Sequence, residues 1–71
     1  MKRQQVVSSN INSVGYDPET QTLEVEFYTG VIYQYSPVTE EAKNQMLSSE
    51  SIGSYFAKNI KNNKEITQTK V

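Results

Sequence analysis

Between Thr22 and Ser36 apolar and polar residues alternate in steps of two. Leu23, Val25 and Phe27 are interleaved with Thr22, Glu24, Glu26 and Tyr28. After Thr29-Gly30 the alternation resumes as Val31, Tyr33 and Tyr35 against Ile32, Gln34 and Ser36. That period belongs to a half-buried strand, and β-branched and aromatic residues suit a packed, pleated surface. The pattern predicts a β-hairpin that turns at Gly30, the residue there that takes a left-handed backbone without steric cost. The register can be argued as well. A two-residue Thr29-Gly30 loop sets Val25 against Gln34, a polar residue on the apolar face. A three-residue loop, Tyr28-Thr29-Gly30, pairs Phe27 with Val31, Val25 with Tyr33 and Leu23 with Tyr35. All six then share one face, and because a one-residue slip sends one strand's set to water, burial selects this register.

Around the hairpin the chain reads in order. Residues 1–5 carry nothing to bury and are expected to be disordered. Val6 to Tyr16 predicts a first strand with an irregular start, weighted by Ile11, Val14 and Tyr16, and Gly15 inside it suggests a bulge or a close backbone approach. Asp17-Pro18-Glu19 has the chemistry of a type I turn. Pro37 stops the third strand. Thr39 before Glu40 and Glu41 predicts a capped helix from about Glu40 to Leu47, with Val38 packing beneath. Ser48 to Ser51 breaks it, and Ser49 or Ser51 can cap a second helix. Ile52, Tyr55, Phe56 and Ile60 form that helix's amphipathic stripe, with Lys58 and Lys61 directed to water. Gly53 in its first turn lowers helix propensity and implies a close contact with another element. Asn62-Asn63 ends the helix, and residues 64–71 are expected to be a flexible tail. The predicted fold is α+β: a three-stranded antiparallel meander followed by two short helices packed on one face, as a single domain over residues 6–63. The expected core is Leu23, Val25, Phe27, Val31, Tyr33, Tyr35, Met46, Leu47, Ile52, Tyr55, Phe56 and Ile60.

Composition narrows the chemistry. A chain of 71 residues, 35% hydrophobic, is near the lower size limit for folding without staples, and stability of only a few kcal/mol is expected. With no Cys and no His, disulfides, thiolate or imidazole metal sites and a His general base are excluded. No run approaches the roughly 20 apolar residues that span a bilayer, and no apolar segment follows Met1-Lys2-Arg3, so a cytosolic protein without membrane contact is expected. A net charge of −1 provides no global attraction to nucleic acid. The charge is nevertheless uneven: from Val6 to Glu50 only Lys43 opposes the acids, whereas Lys58, Lys61, Lys64 and Lys70 outnumber Glu65 beyond Ser51.

An enzyme is not expected. Ser8-Ser9 and Ser48-Ser49 have no base that sequence places beside them. Glu24 and Glu26 share one face of a strand, but they alternate with the core and are expected to lie in solvent rather than work as an acid–base pair. No calcium loop, metal motif or phosphate-cradling glycine loop is present, so no cofactor is expected. The tyrosines carry more information. Tyr33 and Tyr35 flank Gln34 and point to one face: they are either core residues whose hydroxyls reach the edge or a platform on which a base stacks, with Lys58, Lys61 and Lys64 meeting phosphate. Tyr16, Tyr28 and Ile32 form a second possible cluster, on the opposite face, where an apolar patch would mark a protein contact or a homodimer surface.

Taken together, several short pieces resemble a known family. Ser8-Ser9-x-Ile11, Gly15-Tyr16-Asp17, Leu23-x-Val25-x-Phe27-x-x-Gly30, Tyr33-x-Tyr35 and Ser51-x-Gly53-x-Tyr55-Phe56 with Ile60, in this order and spacing, are similar to the KTSC domain. That domain is named for the C-terminus of some lysyl-tRNA synthetases and also occurs as a stand-alone bacterial and phage protein. The likeness spans about Val6 to Ile60. Thr39 departs from it, standing where the family commonly has proline, and the helix that follows lacks the usual aromatic. The resemblance implies a small domain without assigned chemistry, for which RNA binding has been suggested through the Tyr-x-Tyr motif, here Tyr33 and Tyr35. The expected function is therefore a binding module for single-stranded RNA or a nucleotide, using Tyr33, Tyr35, Lys58 and Lys61. The alternatives are a protein-binding adaptor or inhibitor of phage origin, acting on a host factor through Tyr16, Tyr28 and Ile32, or a self-associating structural domain.

Overall fold

The computed structural model describes residues 2–71. Its elements are β1 (Arg3–Gln5), β2 (Ile11–Asp17), β3 (Thr22–Phe27), β4 (Ile32–Ser36), α1 (Glu40–Ser48), α2 (Ile52–Phe56), which continues as a π-helical turn (Ala57–Lys61), and β5 (Thr67–Lys70). The strands form one antiparallel sheet in the order β1-β2-β3-β4-β5, and the helices connect β4 to β5 across one face.

The central hairpin has the argued register. Leu23 pairs with Tyr35 and Val25 with Tyr33. The Phe27 amide donates to the Val31 carbonyl at 3.0 Å, closing the three-residue loop. Gly30 has a φ of +91°, while a Cβ built there would meet nothing, so glycine is required for backbone conformation and not for space. The bulge lies elsewhere than Gly15. The β2–β3 register shifts between Ile11, opposite Phe27, and Ser13, opposite Glu26. Asn12 is thus the extra residue, which lets Ile11 and Val14 both enter the core at an odd spacing.

The expected three-stranded sheet has five strands, because both chain ends pair. Gln5 lies opposite Ser13 and Arg3 opposite Gly15; Thr67 to Lys70 lie opposite Ser36 to Tyr33. Neither the disordered N-terminus nor the flexible tail describes these residues. Main-chain hydrogen bonding decides it: without β1 and β5, the outer N–H and C=O groups of β2 and β4 would lack partners.

The first helix starts at its predicted cap, and of the two candidates for the second, Ser49 and Ser51, it is Ser51 that caps it. Thr39 Oγ1 accepts from the Ala42 amide and Ser51 Oγ from the Ser54 amide. Residues four apart on an α-helix drift by about 40° around its axis, which would turn Ile60 away from Ile52 and Phe56. The wider π turn corrects the drift, and Ile60 is buried. Of the expected core, Leu23, Val25, Tyr35, Met46, Phe56 and Ile60 are buried, joined by Ile11, Val14 and Val38. Phe27, Tyr33, Leu47, Ile52 and Tyr55 pack around them half-buried.

Candidate functional site

Tyr33 and Tyr35 point to the same, helix-covered face but meet different surroundings. Phe56 lies edge-on to Tyr35 with ring centroids 5.1 Å apart. Tyr35 is 2% exposed, and burial, with Tyr33 contributing, pushes its phenol up to about 12. A ring enclosed in this way offers no face to a base, so Tyr35 is a core residue and not half of a stacking pair. Tyr33 is half-buried, edge-on to Phe27 at 6.2 Å.

One side of Tyr33 forms the wall of a groove of about 460 Å³ at the hairpin end of the sheet. Phe27, Tyr28 and Val31 supply its apolar lining, and Thr29, Ser9 and Asn10 its polar rim. The hairpin loop and the β1–β2 connection meet here because the Tyr28 amide donates to the Asn10 carbonyl, extending the β2–β3 pairing by one step. The groove is open to solvent, and its lining is mostly apolar with a few polar groups on the rim.

The lysines are arranged differently from the expectation. Lys58 and Lys61 are exposed on the π turn and do not line the groove. The lysine brought to Tyr33 is Lys70, its direct cross-strand neighbour on the same face. Sequence reading missed it by assigning residues 64–71 to a tail. The available signal was the alternation of β-branched Thr67 and Thr69 with Gln68 and Lys70.

The second expected cluster does not assemble. Tyr16 faces the helices: it pairs with Leu23, its hydroxyl donates to the Val38 carbonyl at 2.5 Å, and Lys43 Nζ stands 5.3 Å from its ring centre. Burial raises its pKa, with Glu40 and Asp17 adding to the effect. Tyr28 is 60% exposed in the hairpin loop, while Ile32 lies on the far face opposite Glu26. That face is polar. Arg3 pairs with Glu24, Gln34 Nε2 donates to the same carboxylate at 2.9 Å, and Ser13 and Asn12 donate to Glu26. Glu24, expected in solvent, is only 7% exposed, because long cross-strand neighbours cover it without a second layer. The Gln34 hydrogen bond, followed by Arg3, lowers its pKa against the opposing effect of burial. Both carboxylates are thereby engaged in holding the sheet together.

The KTSC domain family matches residues 7–63. A crystal structure of a KTSC domain protein from Yersinia pestis is 36% identical and superposes with a TM-score of 0.88 over 99% of this chain and 96% of that one. Such coverage includes the two outer strands in the shared fold. An uncharacterized protein of Stutzerimonas stutzeri is 46% identical over 56 residues, 79% of either chain. A lysine–tRNA ligase of a Nostoc species is 43% identical over 53 residues, which are 75% of this chain and 9% of the ligase. No helix among the described residues is long and apolar enough to cross a membrane.

Proposed function

This chain belongs to the KTSC domain family, and from that premise we propose that it is a small non-enzymatic binding module whose hairpin groove takes an unstacked base of single-stranded RNA or of a nucleotide. The observation that carries the reading is Tyr33: a half-exposed ring on the wall of an apolar groove, with Lys70 directly across the strand. A ring of this kind stacks on any base, and a neighbouring ammonium meets the phosphate that accompanies it. The occurrence of a related segment in a lysine–tRNA ligase, an enzyme acting on RNA, supports the ligand class. So does the kind of polar group on the rim, uncharged donors and acceptors suited to a base edge. The cytosol is the compartment that goes with such a ligand.

The affinity is modest, because one lysine beside an acidic body neutralises little phosphate, and it falls as salt rises. The test is an NMR titration of the whole chain with short single-stranded RNA at low salt. Resonances of Phe27, Val31 and Tyr33 should shift, and Tyr33→Ala should weaken binding by about 5- to 150-fold, corresponding to the roughly 1–3 kcal/mol of one base–aromatic stack. Lys70→Glu should weaken binding more than Lys58→Glu with Lys61→Glu, reversing the ranking expected from sequence. No shift at these residues at low salt overturns the reading. Groove shifts produced by an apolar peptide instead of RNA would favour a protein-binding adaptor, the alternative that no longer has the patch of Tyr16, Tyr28 and Ile32.

A further inference from the structure

We propose that Asn10 makes the groove selective, favouring bases that present a carbonyl at the bound edge (guanine, uracil, inosine) over adenine. This rests on the RNA reading above and adds to it which base is preferred. Asn10 is on the groove rim. A free asparagine amide offers one acceptor and two donors, and so reads either kind of edge. Here it is not free. The Ser8 hydroxyl accepts from the amides of both Asn10 (3.4 Å) and Ile11 (3.3 Å), which occupies its lone pairs. Its one proton then has to be donated, and the side chain of Asn10 is 3.1 Å away. The atom facing Ser8 is therefore the amide oxygen; an NH2 group there would set donor against donor.

The same oxygen lies close to α2: a Cβ on Gly53 would lie 2.8 Å from Asn10 Oδ1 and 3.4 Å from Ser8 Oγ, so the absence of a side chain at Gly53 leaves room for the Asn10 amide. With the oxygen committed to Ser8, the NH2 group is the free hydrogen-bonding end of this groove-lining side chain, and among the described residues it donates to no protein acceptor. The other polar side chains on the rim, Ser9 and Thr29, are hydroxyls that both donate and accept and so do not discriminate. Asn10 is the rim group whose hydrogen-bonding sign is set. A carbonyl at the 6-position of a purine, or at the 4-position of uracil, accepts from it. The amino group of adenine in the same place meets another donor.

The test compares a short adenosine oligoribonucleotide with the same oligomer carrying inosine, which exchanges the 6-amino donor for a carbonyl acceptor and turns N1 from an acceptor into an N–H donor, so the Asn10 variant and the Asn10 NH2 signals assign the difference to the 6-position. The wild-type chain should bind the inosine oligomer about 3- to 10-fold more tightly, the range of one solvent-accessible neutral hydrogen bond. Asn10→Asp keeps the size and the acceptor facing Ser8 but replaces NH2 with an acceptor, so its preference should reverse toward adenosine. In the wild type, the side-chain NH2 signals of Asn10 should move with the inosine oligomer and not with the adenosine one, a readout independent of whether the variant folds. Equal affinity for both oligomers, with Tyr33→Ala still weakening each, overturns the selectivity and leaves the stacking site standing. A preference that persists unchanged in a folded Asn10→Asp overturns it too. Loss of all binding to both oligomers in the wild type overturns the stacking site itself.

Discussion

Tyr33 and Tyr35 show how far two residues of one strand face can differ. Period two placed both on the helix side, and that much was legible. Which one is capped by Phe56 depends on where α2 crosses the sheet, and no spacing within β4 contains that information. The consequence can be measured. Among the described residues the Tyr35 hydroxyl has no protein hydrogen-bond partner, yet no wholly buried side-chain polar atom goes unpaired, so the hydroxyl reaches water at its rim. Its pKa is raised from 10.0 to about 12. The fold favours the neutral phenol, so this contribution is intact below pH 10, where both states are protonated. It is lost as pH rises toward 12, because the unfolded chain ionises first. At pH 11 the loss is about 1.4 kcal/mol by linkage. Urea unfolding at pH 8 and pH 11 should show this extra decline in the wild type and not in Tyr35→Phe. An equal decline in both would mean that the ring is not buried as described. Glu24 has the opposite sign: its lowered pKa contributes stability that is present near neutral pH and lost as acid protonates the carboxylate.

Among the elements, the hairpin and the helix starts were readable because their determinants are local. A glycine at positive φ sets the loop, and Thr39 and Ser51 each cap the amides three residues on. The π turn and the Asn12 bulge were not readable, since both adjust side-chain direction to a partner surface and have no composition of their own. Gly53 falls between the two cases. Its helix cost implied a close neighbour, and Asn10 with Ser8 is that neighbour. Gly53→Ala gains about 0.5–1 kcal/mol of helix propensity. Against this stands a Cβ that forces the Asn10 amide aside and breaks its hydrogen bond to Ser8, a loss of similar size. The melting temperature should therefore hardly move, while the Asn10 side-chain NH2 signals shift. A large loss of stability would instead mean that the Ser8–Asn10 turn is rigid and resists displacement.

For the whole molecule, the helices cover one face of the sheet, and the other is closed by side chains of the strands themselves. The two outer strands protect the inner ones. Deleting residues 65–71 removes Lys70 and leaves the edge of β4 unpaired, a template for another chain. Light scattering should give the truncated chain a larger mass than the full chain at equal concentration, and its melting temperature should fall. If mass and melting temperature both stay the same, β5 adds nothing to the fold. Sequence alone determined the hairpin and its register, the Thr39 cap of the first helix, the absence of thiol and imidazole chemistry and the family likeness, because each depends on residue type and short spacing. Tertiary structure decided that both chain ends join the sheet, since polar strands such as Arg3–Gln5 and Thr67–Lys70 are held by main-chain pairing that no hydrophobic pattern announces. It also decided which tyrosine borders a groove and which lysine pairs across the strand with that tyrosine, because those follow from where separate elements meet in space.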